Sequence, residues 1–433
     1  AAVAGRGGSG AGFGGCFARG LLAVGGALGF RIGADRGGMA AVGPLLGGWL
    51  TTAFSWRWAF GINIPLGILI IIGVLLTVAE SRDENTRSID IMGGALSFIT
   101  FGALVFGLIE GRTLGWWATE GDFTIGSWTW PWALSPVPVA FLIAILGAVA
   151  FIAWGIHRER TGRVSLLSFS LFRIGTFRNG NIAAMLVSLG EFGIILSLPL
   201  WLQFVLGFDA LQTGLILLAL AGGSFVASGA AAGASSRIPA VWVVRVGLAA
   251  EIIGVVWVGL VIAPDAAWGW LIPALFIYGF GVGLATAQLT GVILVDVPVE
   301  RSGQGSGTQS TARQIGSALG IAILGTVLFT STAGILASNL EDQGMASDQA
   351  DQIVTAVVQS AGGAIAQLEQ SPATSAAADA AKTAFSDGTR YAAFTAAGFL
   401  AIGLVATLAL PSRRPEEATE SDHSENAPKT ATD

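Results

Sequence analysis

Ten runs of apolar residues, each close to the length of a bilayer-crossing helix, decide what this chain can become. They fall at about 37–54, 59–79, 90–110, 137–157, 181–206, 211–233, 241–263, 269–294, 307–331 and 391–411. A helix needs about 20 predominantly apolar residues to cross a hydrocarbon core about 30 Å thick. In lipid only helices and closed barrels satisfy all of their backbone groups. The pattern therefore predicts an all-α, polytopic membrane helix bundle with about ten complete transmembrane helices. Composition agrees, with 53% hydrophobic and 12% charged residues and a mean hydropathy of +0.70. Soluble proteins carry roughly 25% charged residues.

The few cations are nearly all arginine; Lys382 and Lys429 are the exceptions. Arg82 and Arg87 follow the second run, and Arg158, Arg160, Arg163, Arg173 and Arg178 follow the fourth. Arg237 and Arg245, then Arg301 and Arg313, then Arg413 and Arg414 keep the same phase. The opposite side holds Arg57, Arg112, Lys382 and Arg390. Positive charge stays on the cytoplasmic side, which places the tail, 412–433, inside as a disordered end. Two outer segments are long. Residues 112–136 carry an interfacial aromatic cluster of Trp116, Trp117, Trp128, Trp130 and Trp132. Residues 332–390 read as an outer loop, within which 348–368 has the apolar spacing of a short amphipathic helix or forms a partly ordered loop.

Several functions are excluded by what the chain contains. The net charge is −6 with no basic cluster, so nucleic acid is not an expected partner. Cys16 is the single cysteine, and His157 and His423 lie far apart. No metal, haem or other cofactor is expected. There is no nucleotide-cradling loop and no Ser/His arrangement, so neither a nucleotide partner nor an enzyme is expected. Residues 1–36 are Gly/Ala-rich with few large apolar side chains, and read as a degraded or mis-read start.

The first run, GGMAAVGPLLGGWL, places Ala40, Gly43, Gly47 and Gly48 on one helical stripe. Such stripes let helices approach backbone to backbone in lipid. Pro44 cannot donate to the carbonyl of Ala40, which predicts a kink. Trp56, Arg57 and Trp58 then mark an interface.

These residues carry a resemblance. VGPLLGGWL followed by SWRWAFGINIPLG resembles the antiporter signature of major facilitator transporters and the span after it. W-R-W and N-x-P-x-G resemble the fourteen-span drug:proton antiporters of the Emr/Qac type. SIDIMGGAL with GLIEGRTLGWW, SLFRIGTFRNGN with LPLWLQFVLGFDALQTGL, and DVPVERSGQGSGTQSTARQIGSALG match further motifs in the family's order. Aligned so, 37–54 is the fifth span and 391–411 the fourteenth, with the first three to four spans missing. The resemblance implies a remainder of the N-terminal half-bundle at 37–79, two linker spans at 80–157 and a C-terminal half-bundle at 158–411. It implies a bacterial cytoplasmic (inner) membrane location. It also implies proton-coupled multidrug efflux by alternating access, with protons, the lipid bilayer and a small amphipathic or cationic substrate as partners. Gly43, Pro44, Gly47 and Gly48 would be structural residues of the antiporter motif. The alternatives are an inactive remnant or other non-transporting membrane protein, and an uptake symporter of the same superfamily.

Glu191 is the sharpest candidate for chemistry. It lies about ten residues beyond Asn181, roughly 15 Å deep at 1.5 Å per residue. Ser188 is its only polar neighbour along the helix. A charged carboxyl at that depth costs about 2.5–3.5 kcal/mol to insert, so binding and releasing a proton is the role that suits it. A counter-charge for a cationic substrate, or a neutral acid bonded to another helix, are the other readings. Glu251 is also near mid-span, in a span that the resemblance makes peripheral. Trp201, Gln203, Tyr278 and Gln288 are expected to line the cavity and contact substrate, with interhelical hydrogen bonding the other reading. Asp90 and Asp296 sit at cytoplasmic span ends, where pairing with Arg87 or Arg301 would latch a gate. Arg301 and Arg313 are gate or loop candidates; Arg313 opens the penultimate span, and Gly316 and Gly320 form a packing face beyond it.

Overall fold

The computed structural model describes residues 36–77, 90–163, 165–234 and 238–411. The expectations for 1–35, Arg82, Arg87, Arg237 and the tail fall outside the described residues. The architecture is all-α. In chain order the helices are α1 (Arg36–Ala53), α2 (Trp56–Gly61), α3 (Asn63–Thr77), α4 (Ile91–Leu114), α5 (Pro136–Arg160), α6 (Gly175–Phe204), α7 (Ala210–Ala234), α8 (Ala240–Val261), α9 (Leu271–Leu294), α10 (Ser302–Asp342), α11 (Ser347–Gln359), α12 (Ile365–Glu369) and α13 (Ser375–Leu408).

Against the ten expected runs, nine helical segments among the described residues are long and apolar enough to cross a membrane, counting Trp56–Thr77 as one. The run at 37–54 is helix α1, which is not among the nine. Its 18 residues include Arg36, Thr51, Thr52 and five glycines. Several helices outrun their apolar stretches. α6 begins at Gly175, α10 continues to Asp342 and α13 begins at Ser375. Hydropathy marks only the lipid-facing part of a helix, whereas polar turns outside it stay helical where they pack. Much of 332–390 is thus helix and not loop. α10, at about 61 Å for its 41 residues, projects well past a core of about 30 Å. It is capped by α11 and α12, where Ala350, Val357 and Ile365 are fully buried. α11 covers the first part of the stretch with amphipathic spacing. Gly362 makes the turn into α12 at φ 100°, pressed on Phe385 and Phe204.

Six helices, α6 to α10 and α13, form one bundle around the main apolar core. Small residues set its closeness. A Cβ at Gly316 or Gly320 of α10 would collide with the backbone of Met185 or Leu189 in α6. Gly223 of α7 and Gly279 of α9 face each other's helix in the same way, and Ser224 donates to the Gly279 carbonyl at 2.8 Å. Replacing Gly320 with Ala should destabilise by about 1–3 kcal/mol, the cost of overpacking. Gly334→Ala, in the same helix but facing open space, should be neutral or stabilising by up to about 1 kcal/mol. Thermal unfolding of the detergent-solubilised protein checks the contrast; equal shifts would mean that helix propensity and not packing governs both.

α1 packs on α7, but the predicted stripe is only partly used. Gly48 meets the backbone of Ala210, where a Cβ would lie 2.7 Å from its carbonyl oxygen. Gly43 is exposed and Gly47 has open space beside it. Among the described glycines of the stripe, the backbone-to-backbone approach is thus made at Gly48. Pro44 lies within α1, and its side chain is outside the described set.

α4 and α5 pack as a pair. Asp90 joins them to the segment that follows. As the N-cap of α4 its carboxylate accepts from the Gly93 amide at 2.9 Å, from Trp154 Nε1 at 3.0 Å and from the Leu166 amide at 3.1 Å. Arg158 lies 3.7 Å away. Asp90 is thus a buried structural node tied to α5 and the segment after it; Arg87, one of the two partners expected for a gate, lies outside the described residues. The outer segment between α4 and α5 folds into a two-stranded hairpin, Thr124–Ile125 with Trp128–Thr129. The tryptophans stack edge to face on it, with Trp130 and Trp132 4.6 Å apart.

Candidate functional site

The two mid-span carboxylates are placed by glycines beside them. Gly190 and Gly193 flank Glu191 on α6. One takes Leu400 and the Ala396 carbonyl of α13, the other takes Leu324 of α10. On α8, Glu251 is held against α9, because Gly281 leaves room for its backbone. Gly254 receives the backbone of Tyr278 in the same contact. A bulkier residue at any of these positions would push the carboxylates out of register.

The helices so packed bring four chemical groups together. Glu191 and Arg313 line one crevice of about 10 Å³ with Ser188, Thr290 and Gln309. Arg313 Nε lies 3.4 Å from Ser188 Oγ, at the limit of a hydrogen bond, and Gln309 Nε2 donates to Thr290 Oγ1 at 2.8 Å. Tyr278, fully buried, donates its hydroxyl to the Glu191 carbonyl at 3.3 Å. Glu251 is fully buried, and neither carboxylate oxygen has a hydrogen-bond partner among the described residues. It lies within electrostatic reach of both Glu191 and Arg313. The crevice is about the size that one water needs, so it can bring a water to Glu191 but holds no drug-sized molecule as it stands.

Two expectations change here. Glu251 is not peripheral: α8 turns it into the bundle toward Glu191. Arg313 is not in a loop, since α10 begins at Ser302 and carries it to the crevice beside Glu191. A lone Arg in an apolar helix signals that a partner exists. It does not name Glu191, because the two belong to helices distant in the chain.

Metal binding has no cluster to support it: no group of three His, Cys, Asp or Glu residues suits an ion among the described residues. The model of the Major Facilitator Superfamily matches residues 22–321. The chain belongs to the Major Facilitator Superfamily. It is thereby a multi-pass membrane protein of a transporter family and not an enzyme. The multidrug resistance protein Stp of Mycobacterium tuberculosis is 30% identical over 299 residues, 69% of this chain and 52% of that protein. The probable actinorhodin transporter of Streptomyces coelicolor is 29% identical over 318 residues, covering 70% and 51%. The multidrug efflux pump LfrA of Mycolicibacterium smegmatis is 28% identical over 379 residues, covering 87% and 69%. The chain thus spans about half the length of Stp and of the actinorhodin transporter.

The remaining candidates of this superfamily chain do not join the four. Trp201 is fully buried and donates from Nε1 to Ser386 Oγ at 3.0 Å, tying α6 to α13. This interhelical hydrogen bond is the other of the two readings open for Trp201. Gln288 makes a similar tie, donating to the Ala231 carbonyl of α7 at 3.4 Å. Gln203 is half-buried near the end of α6. Asp296 accepts from Thr176 Oγ1 at 2.8 Å, and Arg301 donates to Ser170 Oγ at 2.6 Å. Asp296 therefore holds the first turn of α6, and Arg301 the Phe169–Arg173 turn before it.

Proposed function

We propose that this chain takes part in proton-coupled export of small amphipathic or cationic compounds by alternating access. The membrane would be the bacterial cytoplasmic one, with the C-terminus on the cytoplasmic side. The observation that carries the reading is the convergence of Glu191, Glu251, Tyr278 and Arg313 from four helices inside an apolar bundle. Intramembrane ionisable groups are expensive and mark ion or substrate pathways. An acid facing an arginine can exchange one partner for another: proton on the acid in one state, arginine or cationic substrate beside the carboxylate in the other. Names of relatives such as the LfrA efflux pump support the same class of activity. A pH gradient drives the cycle, so no cofactor or nucleotide enters it.

The chain in liposomes with an acidic lumen should accumulate ethidium, an amphipathic cation, and an ionophore that collapses the pH gradient should abolish the accumulation. Accumulation that survives the ionophore, or none above protein-free liposomes, sinks the reading.

A further inference from the structure

A second cavity, of about 660 Å³, lies between α4, α5, the Phe169–Arg173 turn, α6 and α10. It shares no lining residue with the Glu191 crevice, because α6 and α10 present different faces to the two. Its volume suits a drug-sized ligand. Phe101, Phe151 and Phe172 supply aromatic walls. The amides of Asn181 and Gln304 are turned away from it: Asn181 Nδ2 donates to the Phe177 carbonyl at 2.8 Å, Gln304 Nε2 donates to the Ser165 carbonyl at 2.9 Å, and both amide oxygens are buried off the cavity surface. Arg178, exposed, stands among the lining residues and disfavours a cation.

We propose that this cavity is a second binding site, for an uncharged, flat aromatic molecule. The aromatic walls of Phe101, Phe151 and Phe172 take its apolar body. The site stands whether or not the bundle exports anything, since it uses neither Glu191 nor Glu251.

N-phenyl-1-naphthylamine, a neutral aromatic amine that fluoresces in apolar surroundings, is the probe. The full chain in lipid nanodiscs should show saturable probe fluorescence above empty nanodiscs. Ser97→Trp, which fills the cavity without removing an interhelical hydrogen bond, should abolish that component. Glu191→Gln should leave it unchanged. Absence of a saturable component overturns the proposal, as does one that survives Ser97→Trp, or one lost with Glu191→Gln.

Discussion

Replacing Glu191 with Gln should reduce pH-driven ethidium transport to the level of protein-free liposomes, while the amount of protein reaching the membrane stays unchanged. The amide keeps the volume and hydrogen-bonding capacity of the neutral acid, so the packing that Gly190 and Gly193 provide on either side survives. What it loses is the ability to take and release a proton. Arg313 then has no carboxylate to exchange against on α6. If Glu191 serves only as a neutral acid bonded within the bundle, Gln substitutes well and transport persists; that result would remove it from the mechanism. Glu251 sharpens the test. Tyr278 joins the two, with its hydroxyl on the Glu191 carbonyl and its backbone against Gly254 on the helix of Glu251, so Glu251→Gln alone should cause a comparable loss, as for residues acting as a unit. Transport retained in Glu251→Gln would place Glu251 outside the proton step.

The largest effect on stability is expected at Asp90. Asp90→Ala removes the acceptor for Gly93, Trp154 and Leu166 and the nearby charge for Arg158. Breaking such a buried charged node costs about 3–5 kcal/mol. The melting temperature in detergent should fall, and the segment around Leu166 should become open to proteolysis. The same node predicts a pH dependence. Burial opposes charge on Asp90, but the hydrogen bonds from Trp154, Gly93 and Leu166 and the Arg158 guanidinium outweigh it, holding the carboxyl below its ordinary value of 3.8. A carboxyl with a depressed folded-state pKa favours folding fully above its unfolded pKa and loses that contribution as pH falls through the folded value. Wild-type stability should therefore carry a component, constant from neutral pH down to about pH 5, that erodes below about pH 4. The Asp90→Ala variant should lack it. Parallel curves for the two proteins would show that Asp90 is not the titrating group.

Length and hydropathy were enough to determine the class of molecule. A run of apolar residues as long as the bilayer is thick has one stable backbone solution in lipid, a helix, and the motif order carried the family. The same signal misjudged 332–390, where polar, Ala-rich sequence is helical because α11 and α12 pack on their neighbours. It overstated the α1 stripe, since only contact with α7 decides which glycine is used. Among site residues, Glu191 was legible singly, because a carboxyl deep in an apolar run is costly and its depth follows from helical rise. Its partners were not. Spacing along one helix says nothing about which face of another helix arrives opposite, so Arg313 read as a loop residue and Glu251 as peripheral. Trp201 could be read as a ligand contact or an interhelical tie, because an aromatic in a span looks the same facing a cavity or facing Ser386. The sequence by itself determined that this chain crosses a membrane many times and holds costly acids within it. The tertiary structure decided which charges face one another, because close helix contacts at Gly190, Gly193, Gly254 and Gly281 set the rotation of every helix that carries them.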